Sequence, residues 1–239
     1  MSALLSLTEE HQMISGLLGA LQTYATRLRS GATVDPADLA RFSEVLHELV
    51  DYRHHEKEEG ILMPLLARNG FEWSAGLLAE LRHEHGHLRH LIDILSQAAA
   101  RESVVSGEQR RQVVEVALAF VEYKRRHIQK EEDLLAPAIS QRLGARALEQ
   151  LDAELARFDR ATGLDRGSPL QQLAAELVQR YSQDSGMVDV TGLCWTEAGR
   201  AAVDAKAALE AGKSPEPGRP AAEAGGRGWR SLTSFGRSR

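Results

Sequence analysis

Apolar side chains recur every three to four positions through the first 142 residues, the period of helices with one buried face. Four long segments carry the pattern. The first runs from about Leu7 to Arg29, with Ser6 and Glu9 at capping-box spacing and Gly31 beyond its end. The second starts after Asp35-Pro36, where proline suits a first helical turn, and stops near Asn69-Gly70. The third spans Ser74 to Ala100 on a stripe of Leu81, Leu88, Ile92 and Leu95, and the fourth spans Gly107 to Arg142. Shorter amphipathic segments cover 144–159 and 168–181. The fold class predicted is all-α. Residues 1–142 form the main domain, 143–210 a helical appendage and 211–239 a disordered basic tail. The tail holds six of the 20 glycines and three of the seven prolines, too little apolar surface to offset chain entropy. The stretch GMVDVTGLCW, 186–195, fits a short strand or an irregular turn equally well.

Within the helical pattern lies an internal repeat. HHEKEEGILMP, 54–64, and HIQKEEDLLAP, 127–137, align on Pro64 and Pro137 with an offset of 73. LTEEHQMISGLLGAL, 7–21, aligns with LRHEHGHLRHLIDIL, 81–95, at an offset of 74, pairing Glu10 with Glu84 and His11 with His85. Two helix hairpins about a pseudo-twofold are implied. At about 100° per residue, His11, His54, Glu58, His85, His127 and Glu131 converge on one core. His83, His87 and His90 turn to solvent, as does His47. His55 and Glu59 lie further round, and Glu132 points aside, although a slip of one residue would exchange His55 with His54. Each proline frees the carbonyl four residues back, at Gly60 and Asp133, and a bend is expected there.

Carboxylates and imidazoles on an apolar stripe need neutralising, and no lysine or arginine shares that stripe in this reading. A divalent or trivalent cation meets the need. Histidine with carboxylate and no thiolate suits iron, manganese or zinc. Two carboxylates able to bridge between two pairs of histidines describe a binuclear site. Six such groups fill eight of roughly twelve octahedral positions, leaving room for a small ligand. Tyr123, one turn before His127, is either a donor behind the site or a plain core residue.

Composition narrows the alternatives. A net charge of −5 argues against a general nucleic-acid or membrane-surface binder. The single cysteine, Cys194, rules out an internal disulfide and a thiolate metal cage. MSALLSLTEE lacks a basic n-region and no run approaches about 18 apolar residues, so the chain reads as soluble and cytoplasmic.

The motifs EEHQMI, HHEKEEGILMP, HEHGHLR and HIQKEEDLLAP together resemble the hemerythrin-like, His-His-Glu cation-binding family across about residues 5–142. The resemblance implies an antiparallel, up-down four-helix bundle. It implies two non-haem iron ions, oxo- or carboxylate-bridged, with manganese or zinc as alternatives, held by His11, His54, Glu58, His85, His127 and Glu131. It further implies chemistry with dioxygen, nitric oxide or peroxide. Oxygen-carrying members place two histidines four apart on the third helix, and here the residue four before His85 is Leu81. That departure favours redox reaction or sensing over reversible oxygen carriage. An oxygen carrier or store, and an iron-storage or structural metal bundle without turnover, stand as the competing functions. Whether the protein is an enzyme is left open, as are its protein partners.

Overall fold

The computed structural model describes residues 3–100, 107–162 and 168–181, and for 3–6 the backbone alone. The described residues are helical, with no strand among them. Helix α1 is Ala3–Ser30 and ends at Gly31, whose φ of 77° suits the left-handed turn that closes a helix. It starts ahead of the expected Ser6 cap, so Ser6 lies inside the helix. Helix α2 covers 37–68 and opens where the Asp35 carboxylate accepts the Ala37 N–H at 2.9 Å. Helix α3 is Gly76–Ala99 and α4 covers 107–142. Helix α5 is Ala145–Thr162 and α6 is Pro169–Tyr181. The expected strand or turn at 186–195, the tail at 211–239 and Cys194 lie outside the described residues.

Two long helices are not uniform. In α2 the segments Leu46–His55 and Glu58–Leu62 are π-helical, before an α-helical end at Met63–Arg68. In α4 the segment Glu131–Leu135 is π-helical, before Ala136–Arg142. The prolines account for the two shorter π segments. Pro64 and Pro137 carry no N–H and crowd the carbonyl four residues back. Widening the preceding turn lets Met63 N–H reach Glu58 O and Ala136 N–H reach Glu131 O, one residue further than in an α-helix. Gly60 and Asp133, the positions at which a bend is expected, lie within these π turns, and each turn begins on a glutamate of the repeat.

Among the described residues the apolar core forms two clusters. One includes Ile14, Leu18, Leu21, Phe42, Leu46, Val50, Leu88, Ile92, Leu95, Phe120 and Val121. The other includes Leu7, Leu62, Leu66, Leu78, Leu81, Leu135 and Ile139. Each long helix passes from one cluster to the other, and the buried histidines, glutamates and lysines lie at the crossing. Helices α5 and α6 join the same clusters, α5 through Leu151 and Leu155, α6 through Ala174, Leu177 and Tyr181.

A buried carboxylate ties α6 down. Asp38, fully buried on α2, accepts hydrogen bonds from Tyr181 Oη at 2.6 Å and from the guanidinium groups of Arg180 and Arg41 at 2.5 and 2.6 Å. Burial pushes its pKa up, but those three donors outweigh it and hold the carboxyl below its ordinary value. The rings of Tyr24, Phe42 and Tyr181 pack around it with centroids 5.4–5.7 Å apart.

Candidate metal centre

The six residues singled out by helical phase come together between the clusters. His11 comes from α1, His54 and Glu58 from α2, His85 from α3, and His127 and Glu131 from α4; the most exposed is His11, at 6%. Their inward atoms converge. His11 Nε2 lies 3.3 Å from Glu131 Oε2 and His54 Nε2 3.6 Å from Glu58 Oε1. His85 Nε2 lies 3.2 Å from Glu58 Oε2, and His127 Nε2 3.0 Å from Glu131 Oε1. Two overlapping donor sets result, His11, His54, Glu58 and Glu131, and His85, His127, Glu58 and Glu131, each with its donor atoms within 4.8 Å of one another. The two glutamates are common to both.

Behind each imidazole stands a carboxylate. Nδ1 of His54 faces Glu10 at 3.1 Å, that of His127 faces Glu84 at 2.8 Å, that of His85 faces Glu59 at 2.6 Å and that of His11 faces Glu132 at 3.1 Å. An ionised carboxylate can only accept, so each Nδ1 carries a hydrogen and Nε2 is the nitrogen left to face a cation. The arrangement follows the repeat, since Glu10 and Glu84 correspond, as do Glu59 and Glu132. Cations hold the outer carboxylates in turn. Lys57 pairs with Glu10, Lys130 with Glu84, and Arg89 with Glu59 at 2.7 Å.

The residues fit a cation. His11 Nε2, His54 Nε2, Glu58 Oε2 and both Glu131 oxygens are buried without a hydrogen-bond partner. Nε2 of His85 and of His127 face each other at 3.0 Å, two lone pairs in contact unless positive charge stands between them. The pKa of His85 points the same way. Burial pulls it down, yet Glu131, Glu58 and Glu59 raise it to about 10, so the pocket favours positive charge at this ring. Burial alone would raise the pKa of Glu131, but His127, His11 and His85 hold it well below the ordinary range.

Helical phase missed several residues. His55 is fully buried rather than turned away, stacked on His85 with centroids 4.0 Å apart. The π turns across 46–55 close on one more residue each, so His54 and His55 both fall on the inner side. His55 belongs to a third donor set with His85 and His127. Its own nitrogens are nonetheless served, Nδ1 by Asp51 at 3.4 Å and Nε2 by Lys124 Nζ at 3.0 Å. Lys124 and Lys57 correct the expectation that the stripe holds no lysine, being 0% and 1% exposed. Burial depresses the pKa of Lys124, against the pull of Glu131 and Glu58. Glu59, expected further round, is half-buried on His85. Glu132, expected to point aside, reaches His11 with its side chain 48% exposed. His83, His87 and His90 are exposed as expected, and Tyr123 packs at the edge of the core, its ring 4.6 Å from that of His87.

A cavity of about 30 Å³ opens beside the centre, lined by His11, Glu58 and Glu131 at its polar end and by Leu7, Leu62, Leu135 and Ile139 elsewhere. Among the described residues, no helix is long and apolar enough to cross a membrane.

No curated protein and no solved structure matches the chain. The family model of the hemerythrin HHE cation binding domain matches twice, over residues 3–139 and 76–185. The second match starts 73 residues after the first, the offset that aligns Pro64 with Pro137, so it detects the same internal repeat. The first match spans more than half of the chain and contains all six converging residues: this protein belongs to the hemerythrin HHE cation-binding family.

Proposed function

We propose that this protein is a non-haem di-iron protein that reacts with dioxygen, peroxide or nitric oxide in an oxidative-stress response or in sensing. His11, His54, Glu58, His85, His127 and Glu131 are its metal ligands in this reading. The carrying observation is the four Nε2 atoms directed at two shared carboxylates, with buried oxygens and nitrogens that no protein donor serves. One ion would take His11 and His54, the other His85 and His127, and Glu58 and Glu131 would span both. Bound iron supplies one-electron redox chemistry towards a small oxidant.

The chain's own residues set the conditions for it. Glu10, Glu132, Glu59 and Glu84 fix the tautomer and orientation of the four histidines. Leu7, Leu62, Leu135 and Ile139 line the cavity leading to His11, and its size admits a diatomic molecule or peroxide. Leu81 is buried in the second cluster and offers no donor on that turn of α3. Eight donor atoms against roughly twelve octahedral positions would leave room on two bound ions for a reacting ligand.

The four long helices form an antiparallel, up-down bundle in this reading. Helices α1 and α3 run from the cluster of Leu7 and Leu78 towards that of Ile14 and Leu88, and α2 and α4 run back, which supports the arrangement. The single cysteine leaves no internal disulfide to form and supports a cytoplasmic location.

Metal analysis of protein from iron-replete cells tests the reading, with two irons per chain expected; one metal, or zinc alone, overturns it. The reduced, iron-loaded protein is then cycled between air and vacuum while its near-ultraviolet absorption is followed. Oxidation within minutes that vacuum does not reverse is the expected result. Full and repeatable reversal would restore an oxygen carrier or store.

A further inference from the structure

We infer that helix α5 contributes a positioning residue to the metal centre, Asp159, acting through Lys57 and Glu10 on His54. The inference rests on the di-iron reading above, and it starts from a break in the internal repeat. In the second half of the repeat, His127 Nδ1 donates to Glu84, and Lys130 Nζ bridges Glu84 to Glu80 at 2.6 Å. Two carboxylates thus share one ammonium, and Glu84 keeps an oxygen for its histidine. In the first half, His54 Nδ1 donates to Glu10 and Lys57 Nζ binds Glu10. The counterpart of Glu80, 74 residues earlier, is Ser6, which has no carboxylate. Asp159 of α5 takes the vacant role and pairs with Lys57.

Burial makes this pairing matter more than its counterpart. The Lys57 side chain is 1% exposed, whereas that of Lys130 is 21% exposed and reaches water. A buried ammonium requires its full set of acceptors. Without Asp159, the charge of Lys57 would rest on Glu10 alone. Glu10 would then be a weaker acceptor for His54 Nδ1–H, and the His54 Nε2 lone pair a weaker donor to metal. The end of α5 is fixed for the task. Arg53, one turn before Lys57, donates from Nη1 to the Thr162 carbonyl at 2.7 Å, holding the last turn of α5 against α2.

The test is stepwise loading of the full-length apoprotein with ferrous or cobaltous ion, read by calorimetry and by the cobalt d–d spectrum. Wild type should take up two ions. Asp159→Asn should weaken one of them about ten-fold or more and leave the other unchanged; Asp159→Glu should restore it. Glu80→Gln should weaken the opposite ion to a smaller extent, because solvent already serves Lys130. In a Lys57→Met background, Asp159→Asn should add no further loss. Two wild-type affinities in Asp159→Asn, or equal weakening of both ions that Asp159→Glu fails to rescue, would overturn the inference. Should Asp159→Asn not fold, Asp159→Glu against Lys57→Met decides: the inference requires Lys57→Met alone to weaken one ion, and equal binding in both would end it. A wild type that binds fewer than two ions refutes the di-iron reading itself, an outcome distinct from two ions bound with no effect of Asp159.

Discussion

Glu58 and Glu131 differ from their neighbours Glu59 and Glu132 by one position, yet face different tasks. The first pair is 1% and 3% exposed and turns oxygens to the centre; the second reaches round to the outer nitrogens of His85 and His11. Glu58→Ala and Glu131→Ala should therefore each lose most of the bound metal. Glu10→Ala, Glu59→Ala and Glu84→Ala should keep the site but weaken metal binding by about 10–100-fold. Glu132→Ala should weaken it least, as its side chain is half in water and water can replace it. Metal content after dialysis against a graded chelator series checks the order, and a Glu59→Ala protein emptier than Glu58→Ala would show the inner residues misassigned. All six converging residues were legible in the sequence, because a repeat at matched helical phase marks an inward face. The partners behind them were not. Glu59 and Lys57 sit among charges that read as solvated surface, and Lys124 carries no mark beyond standing one turn before His127. Only the packing of a second helix makes them interior.

Helix boundaries were legible to within a few residues because proline, glycine and amphipathic period mark them independently. The π turns were not, since a hydropathy pattern presumes constant phase, and His55 was misplaced on that account. The pairing of α6 with α2 was equally hidden: Asp38 reads as a first-turn helix acid, and nothing local announces Tyr181 as its partner. That contact carries a pH dependence whose sign is fixed. The folded pKa of Asp38 lies below its ordinary value of 3.8, so its contribution is complete above that value and is lost as pH falls through the folded pKa. Tyr181→Phe removes one donor and should cost about 1–3 kcal/mol at neutral pH. It should also raise the folded pKa of Asp38 towards 3.8, so that less stability is lost on acidification. Asp38→Asn should abolish this part of the pH dependence. Urea midpoints measured from about pH 2 to 5 would show it, and parallel curves for the three proteins would place the acid sensitivity elsewhere.

At the scale of the molecule, a belt of ionisable side chains separates two apolar clusters, and the same belt limits stability. Buried carboxylates and imidazoles without a cation oppose folding, whereas a cation that binds only the folded chain adds about 4 kcal/mol at a thousand times its Kd. Chelation should lower the melting temperature, and equal values with and without metal would mean a peripheral site. The sequence placed the main domain at 1–142 because the repeat and the strongest periodicity end there. The described structure gives α5 and α6 four large buried side chains, Leu151, Leu155, Leu177 and Tyr181, on the same two clusters. At about 1.5–3 kcal/mol each, these sum to roughly 6–12 kcal/mol, comparable with the whole stability of a typical domain. Because α5 also meets Lys57, its removal acts on both the fold and the centre. A chain ended after Tyr181, where α6 ends, should hold two metal ions and melt with the intact chain. A chain ended at Arg142 should melt more than about 10 °C lower or fail to fold, and what folds should bind its second ion weakly. Calorimetric scans of the three lengths, with metal content measured on each, decide the matter. Equal melting temperatures and two metal ions in the 142-residue chain would support the division at that point, with α5 and α6 as an appendage.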